Sequence, residues 1–103
     1  MSYSAGQWGG ARAAIALRPV LSELGCLPVS AMIHVPNAAQ AFDEDGQATG
    51  GQDEEERWKS YAGRCLGQLE WWGEAAKTHR GVLDPNAISP TFRTNPSERN
   101  APS

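Results

Sequence analysis

Apolar positions follow three regimes along the chain. From Ala14 to Leu24 they recur three and four apart, at Ala14, Leu17, Leu21 and Leu24, which is one face of a helix. From Leu27 to Val35 they crowd together and include Val29, Met32 and Ile33. That run predicts a buried or half-buried strand, with Pro28 tolerated at its first residues or at a sheet edge. The helical spacing then returns at Trp58, Ala62, Cys65, Leu69, Trp72 and Ala76, and predicts an amphipathic helix of about five or six turns. Beyond Thr78 the pattern stops, and prolines recur at 85, 90, 96 and 102. Residues 81–103 are expected to form a disordered tail.

Polar and special residues mark the joints. Ser4 to Gly10 carries three glycines and runs directly into the first helical pattern. Glycine there permits positive φ and lets backbone N–H groups approach a ligand. Pro19 removes a donor inside the first helix and predicts a kink or a weakened first half. Gly25 predicts a left-handed stop. Pro36 and Asn37 end the strand, and Ala38 to Gly51 reads as a loop around the acidic turn Asp43-Glu-Asp-Gly46. Asp53 is expected to cap the last helix with Glu56 in a capping-box arrangement, and acids fill its first turn. The order is therefore strand stub, turn, helix, strand, loop, helix. It predicts an α/β fold: the closing part of a doubly wound parallel sheet.

Composition narrows the function classes. In 103 residues the net charge is −3, without the clustered Lys and Arg of a nucleic-acid surface. Nine of the acids and four of the bases lie between Asp43 and Lys77, as suits a solvated helix face and an acidic loop. Cys26 and Cys65 belong to no metal-spaced cluster and are expected to be reduced, mostly buried thiols. Nothing approaches the ~20 apolar residues of a membrane span. No basic region followed by an apolar run marks a signal peptide. A soluble cytoplasmic protein is expected. His34 and His79 lack a second ligand at metal spacing, and Asp43, Glu44 and Asp45 lack the alternation of a calcium loop.

Ser2, Tyr3, Ser4, Gly6, Gly9, Gly10, Arg12, Ala13, Leu17 and Arg18, in that order, resemble a βα turn of the NAD(P)H-dependent FMN reductase family. The strand ending in Val35-Pro36, the acidic turn after Ala41-Phe42 and the long last helix are similar to how those proteins finish. The likeness covers about Ser2 to Ala76. It implies the carboxyl-terminal part of a flavodoxin-like domain over residues 1–80 (turn, helix, strand, helix), followed by the tail. It also implies hydride transfer from NADPH or NADH through bound FMN to a flavin or quinone-like acceptor, in homo-oligomers, without a catalytic acid–base side chain. By the same resemblance, Ser4, Ala5, Gly6, Gly9 and Gly10 are the FMN contacts, at the isoalloxazine edge. The family's phosphate-holding loop and the loop stacking on the ring have no counterpart in these residues.

Each feature also has a plainer reading. The glycine turn can be a tight connection without a ligand. Tyr3 and Trp8 border a flavin or nicotinamide, or else cover a sheet edge or dimer surface. Arg12 and Arg18 attract a phosphate or are simply solvated, and Trp58, Trp71 and Trp72 read as core and interface residues. A second function follows from the missing sheet partners: a non-catalytic interaction fragment that packs on a full-length relative or another α/β protein and binds no flavin.

Overall fold

The computed structural model describes residues 1–88. The chain divides into two compact units, residues 1–70 and 71–103.

The first unit begins with β1 (Ser2–Tyr3), which leads through the glycine turn into α1 (Ala11–Glu23). The chain returns to β2 (His34–Val35), continues through a one-turn helix α2 (Ala38–Ala41), and enters α3 (Gln52–Arg80). The two strands pair in parallel, Ser2 opposite His34 and Tyr3 opposite Val35. Hydrogen bonds from Ser2 N to the Ile33 carbonyl (2.9 Å) and from Ser4 N to the Val35 carbonyl (3.1 Å) extend the ladder slightly.

These elements correct the expected fold class. The described residues are mostly helical, and their sheet has two strands of two residues each, not the closing part of a doubly wound flavodoxin-like sheet. The predicted strand from Leu27 shrinks to His34–Val35 because a strand needs a neighbour to take its backbone groups. Upstream, side chains take them instead. Arg18 donates to the carbonyls of Val29 (2.9 Å) and Pro28 (3.5 Å). Gln68 Oε1 accepts from Ala31 N (2.9 Å) and from the Ser30 hydroxyl (3.0 Å). The Cys65 thiol donates to the Ala31 carbonyl at 3.2 Å.

The first helix stops where the sequence says it should. Gly25 has φ +82°, its N–H donates to Ser22, and Cys26 N–H reaches back to Leu21. Those two bonds are the 5→2 and 6→1 pair of a Schellman ending. Pro19 sits inside an unbroken helical span. The capping expectation for α3 differs: the helix already includes Gln52, so Asp53 lies in its first turn together with Glu54 and Glu55. Gly51, at φ +82°, turns the chain into the helix, and its carbonyl accepts from Glu55 N. No side-chain bond of a capping box forms among these residues. The acidic turn closes on itself: Asp43 Oδ1 accepts from Asp45 N (3.0 Å) and Gln47 N (2.8 Å), beneath the bridge between Phe42 and Ala48.

Burial is sparse. Ile33, Val35 and Ala48 are the buried hydrophobic residues among those described, and no large side chain is fully enclosed. The face of α1 predicted to pack is only half covered, with Leu17 and Leu24 exposed. Cys26 is exposed and Cys65 half-buried, so the expectation of mostly buried thiols does not hold.

In the second unit, the last turns of α3 carry Trp71 and Trp72, exposed and edge to face with ring centroids 4.8 Å apart. Lys77, His79 and Arg80 complement the dipole at the helix's end. A single turn, α4 (Pro85–Ile88), lies within the segment expected to be a disordered tail, and the remainder of that segment falls outside the described residues.

Candidate functional site

The turn after β1 has two halves with opposite environments. In the inner half, Gly9 (φ +54°) is buried against β2, and a Cβ there would lie 3.0 Å from Pro36 N, Val35 C and Val35 N. Gly10 (φ +73°) is the residue before α1, and its Cβ would meet the Tyr3 carbonyl oxygen at 3.0 Å and Ser2 Cβ at 3.1 Å. Both glycines let helix and strand approach closely, so packing alone accounts for them.

The outer half is open. Nothing lies within 4 Å of where a Gly6 Cβ would be. The Gly6 carbonyl is anchored by the Ser4 hydroxyl (2.9 Å), Asn37 N (3.1 Å) and Gly9 N (3.4 Å). Four consecutive backbone N–H groups, those of Ala5, Gly6, Gln7 and Trp8, have no acceptor among the described residues. All four residues are exposed, so these donors are open to an oxygen-rich or anionic group from outside. Ser4 is different, because its N–H goes to Val35 and its hydroxyl to Gly6. Of the five residues implicated by the sequence, Ala5 and Gly6 are exposed with unpartnered backbone donors, while Ser4, Gly9 and Gly10 build the turn.

Beside this turn is an open cleft of 430 Å³ lined by Gln7, Trp8, His34, Pro36, Glu54, Arg57, Trp58 and Tyr61. Its aromatic wall is braced. Trp58 packs on Phe42 (centroids 5.1 Å) and edge-on to Tyr61 (5.9 Å). The Tyr61 hydroxyl oxygen accepts from His34 N at 3.1 Å. Ser2 Oγ lies 2.7 Å from both the Gly9 carbonyl oxygen and His34 Nδ1. A serine hydroxyl has one hydrogen; given to Gly9, it leaves Oγ to accept from His34. His34 Nδ1 is therefore the donor in its contact with Ser2 Oγ, which leaves Nε2 as the ring nitrogen without a protein partner among the described residues.

Charge in the cleft comes from α3. The Glu54 carboxylate lies where a Gly50 Cβ would stand, so it folds over the glycine's backbone. Arg57, exposed one turn later, has no carboxylate within ion-pair distance among the described residues. Lys59, by contrast, sits 2.9 Å from Glu55 and 3.4 Å from Glu56, and the hydrogen bond to Glu55 raises its pKa above 10.5.

His34, Glu54, Arg57 and Tyr61 carry no joint signal in the sequence. Glu54, Arg57, Trp58 and Tyr61 are spaced i, i+3, i+4, i+7, a periodicity that puts them on one helical face. That a glycine turn some fifty residues earlier lies against this face has no sequence signal. Arg18, considered as a phosphate contact, instead holds Pro28 and Val29. Among the described residues no cluster of three or more His, Cys, Asp or Glu is arranged to hold a metal ion, and no helix is long and apolar enough to cross a membrane. Comparison with known proteins adds no neighbour: no family model, curated protein or solved structure matches this chain.

Proposed function

We propose that this chain supplies flavin-ring contacts in an oxidoreductase of the NAD(P)H-dependent FMN reductase type. The observation that carries the reading is the row of unpartnered N–H groups from Ala5 to Trp8 beside the open face of Gly6. Reduced flavin gathers negative charge along its pyrimidine edge, and fixed backbone donors stabilise such charge without side-chain rearrangement. Ala5, Gly6, Gln7 and Trp8 would hold that edge, with Ser4, Gly9 and Gly10 positioning the turn. The hydride chemistry would come from bound FMN, between NAD(P)H and a flavin or quinone-like acceptor. No acid–base side chain is required of this chain, whose task is orientation and charge stabilisation.

A second reading rests on burial. The small enclosed core and exposed Ile15, Leu17 and Val20 on α1, with Leu24 at its end, suit an element that completes its packing on other polypeptide and binds no flavin itself. The two readings part in an FMN titration followed by flavin fluorescence, with riboflavin alongside. Saturable quenching by both flavins supports the first reading. Absence of quenching in a folded sample favours the second.

A further inference from the structure

We infer that the cleft beside the turn binds a flat aromatic anion bearing a ring hydroxyl, of the hydroxybenzoate class. Three independent features converge on that chemistry, and none depends on flavin binding at the turn. First, the wall is aromatic and held in place: Trp58 is fixed between Phe42 and Tyr61, and Trp8 lines the same cleft while 65% exposed. An indole already held by two ring neighbours takes part in aromatic contacts without first losing rotamer freedom. Second, Arg57 lines the cleft with no carboxylate partner among the described residues, whereas Glu54 is folded over Gly50. The guanidinium is thus the group positioned to take a carboxylate, through two parallel N–H donors. Third, the His34 ring lines the cleft, anchored through Nδ1 to Ser2 Oγ and with Nε2 left without a protein partner among the described residues. A phenolic hydroxyl, which both donates and accepts, pairs with Nε2, and a ring that also carries a carboxylate engages Arg57.

The volume agrees with this assignment. At 430 Å³ the cleft exceeds what a single-ring acid needs and lies within the usual range of small-molecule sites, ~300–1,000 Å³. Its mouth is open to solvent, so binding is expected to be fast and modest in strength.

The test is a titration of the full chain with 4-hydroxybenzoate, 4-hydroxybenzyl alcohol and benzoate, read by isothermal calorimetry without flavin. The expected result is saturable binding of 4-hydroxybenzoate, about tenfold tighter than either analogue, because each analogue lacks one charge-assisted or acceptor-directed bond. Arg57→Gln, at an exposed position, is expected to remove the preference over the alcohol while retaining the preference over benzoate. Equal affinity for all three compounds in the unmodified chain, or no saturable binding, overturns the proposal. That comparison needs no variant to fold. Because flavin is absent from the experiment, its failure leaves the flavin reading of the turn intact, and the converse holds.

Discussion

The inner and outer halves of one short turn use the same residue type for opposite ends. Gly9 and Gly10 are glycines because neighbouring backbone occupies the space a side chain would take, and because their φ angles are positive. Gly6 is surrounded by open space and has no such requirement. A packing explanation therefore covers two of the turn's three glycines and leaves the third to be explained by what comes from outside. The difference teaches that a glycine-rich stretch is not one signal. Each position has to be asked what a Cβ would strike.

Substitution separates the halves. Gly9→Ala forces a left-handed conformation on alanine and presses its Cβ against three backbone atoms of β2 and Pro36, which is expected to cost about 2–4 kcal/mol. With so little buried, that loss is expected to abolish the cooperative urea transition. Gly10→Ala is expected to be milder, about 1–3 kcal/mol on the same measurement, since two of its three close neighbours are side-chain atoms of Ser2. Gly6→Ala is expected to leave urea stability within about 0.5 kcal/mol of the unmodified chain. Its effect should appear in flavin binding alone. A stability loss at Gly6 matching that at Gly9 would break the comparison.

Two smaller effects sharpen it. Gln68→Ala leaves Ala31 N–H and the Ser30 hydroxyl without their acceptor, for an expected loss of about 1 kcal/mol by urea denaturation. Such a loss would show that the segment before β2 is held by side chains instead of a sheet. Lys59→Met is expected to produce no measurable change at neutral pH, because both its ion pairs are exposed. The folded-state pKa of Lys59 is raised above 10.5, so its small contribution is complete below that pH. It is lost as pH rises through the higher folded value. Any difference between the two proteins in thermal melts should therefore shrink as the solution becomes strongly alkaline.

The helices were legible in the sequence because helical order is largely local. The spacing of Ala14, Leu17, Leu21 and Leu24 and the glycine at 25 located α1, and the run from Trp58 to Ala76 located α3. The sheet was not legible to the same degree. Val29, Met32 and Ile33 announce an apolar segment, yet strand formation depends on a neighbour whose presence the segment does not encode. Here Arg18, Cys65 and Gln68 took the role of that neighbour. Asp53 has the composition of a cap, but Gly51 turns the chain two residues too early for it to serve. Of the site, the glycine turn was visible and its division into two halves was not. The His34 arrangement depends on Ser2 and Tyr61, both about thirty positions away, and periodicity carries no information at that range.

The proposal is that the unpartnered donors of the turn, from Ala5 to Trp8, hold the edge of a flavin ring. It is tested most directly by titrating the unmodified chain and its Gly6→Ala variant with FMN and riboflavin, following flavin fluorescence under conditions where both proteins give the same circular dichroism. The account predicts saturable quenching by both flavins in the unmodified chain, weakened about tenfold or more in the variant, because one methyl group stands between the ring and its donors. Equal quenching in the two proteins, or none in either, would contradict it.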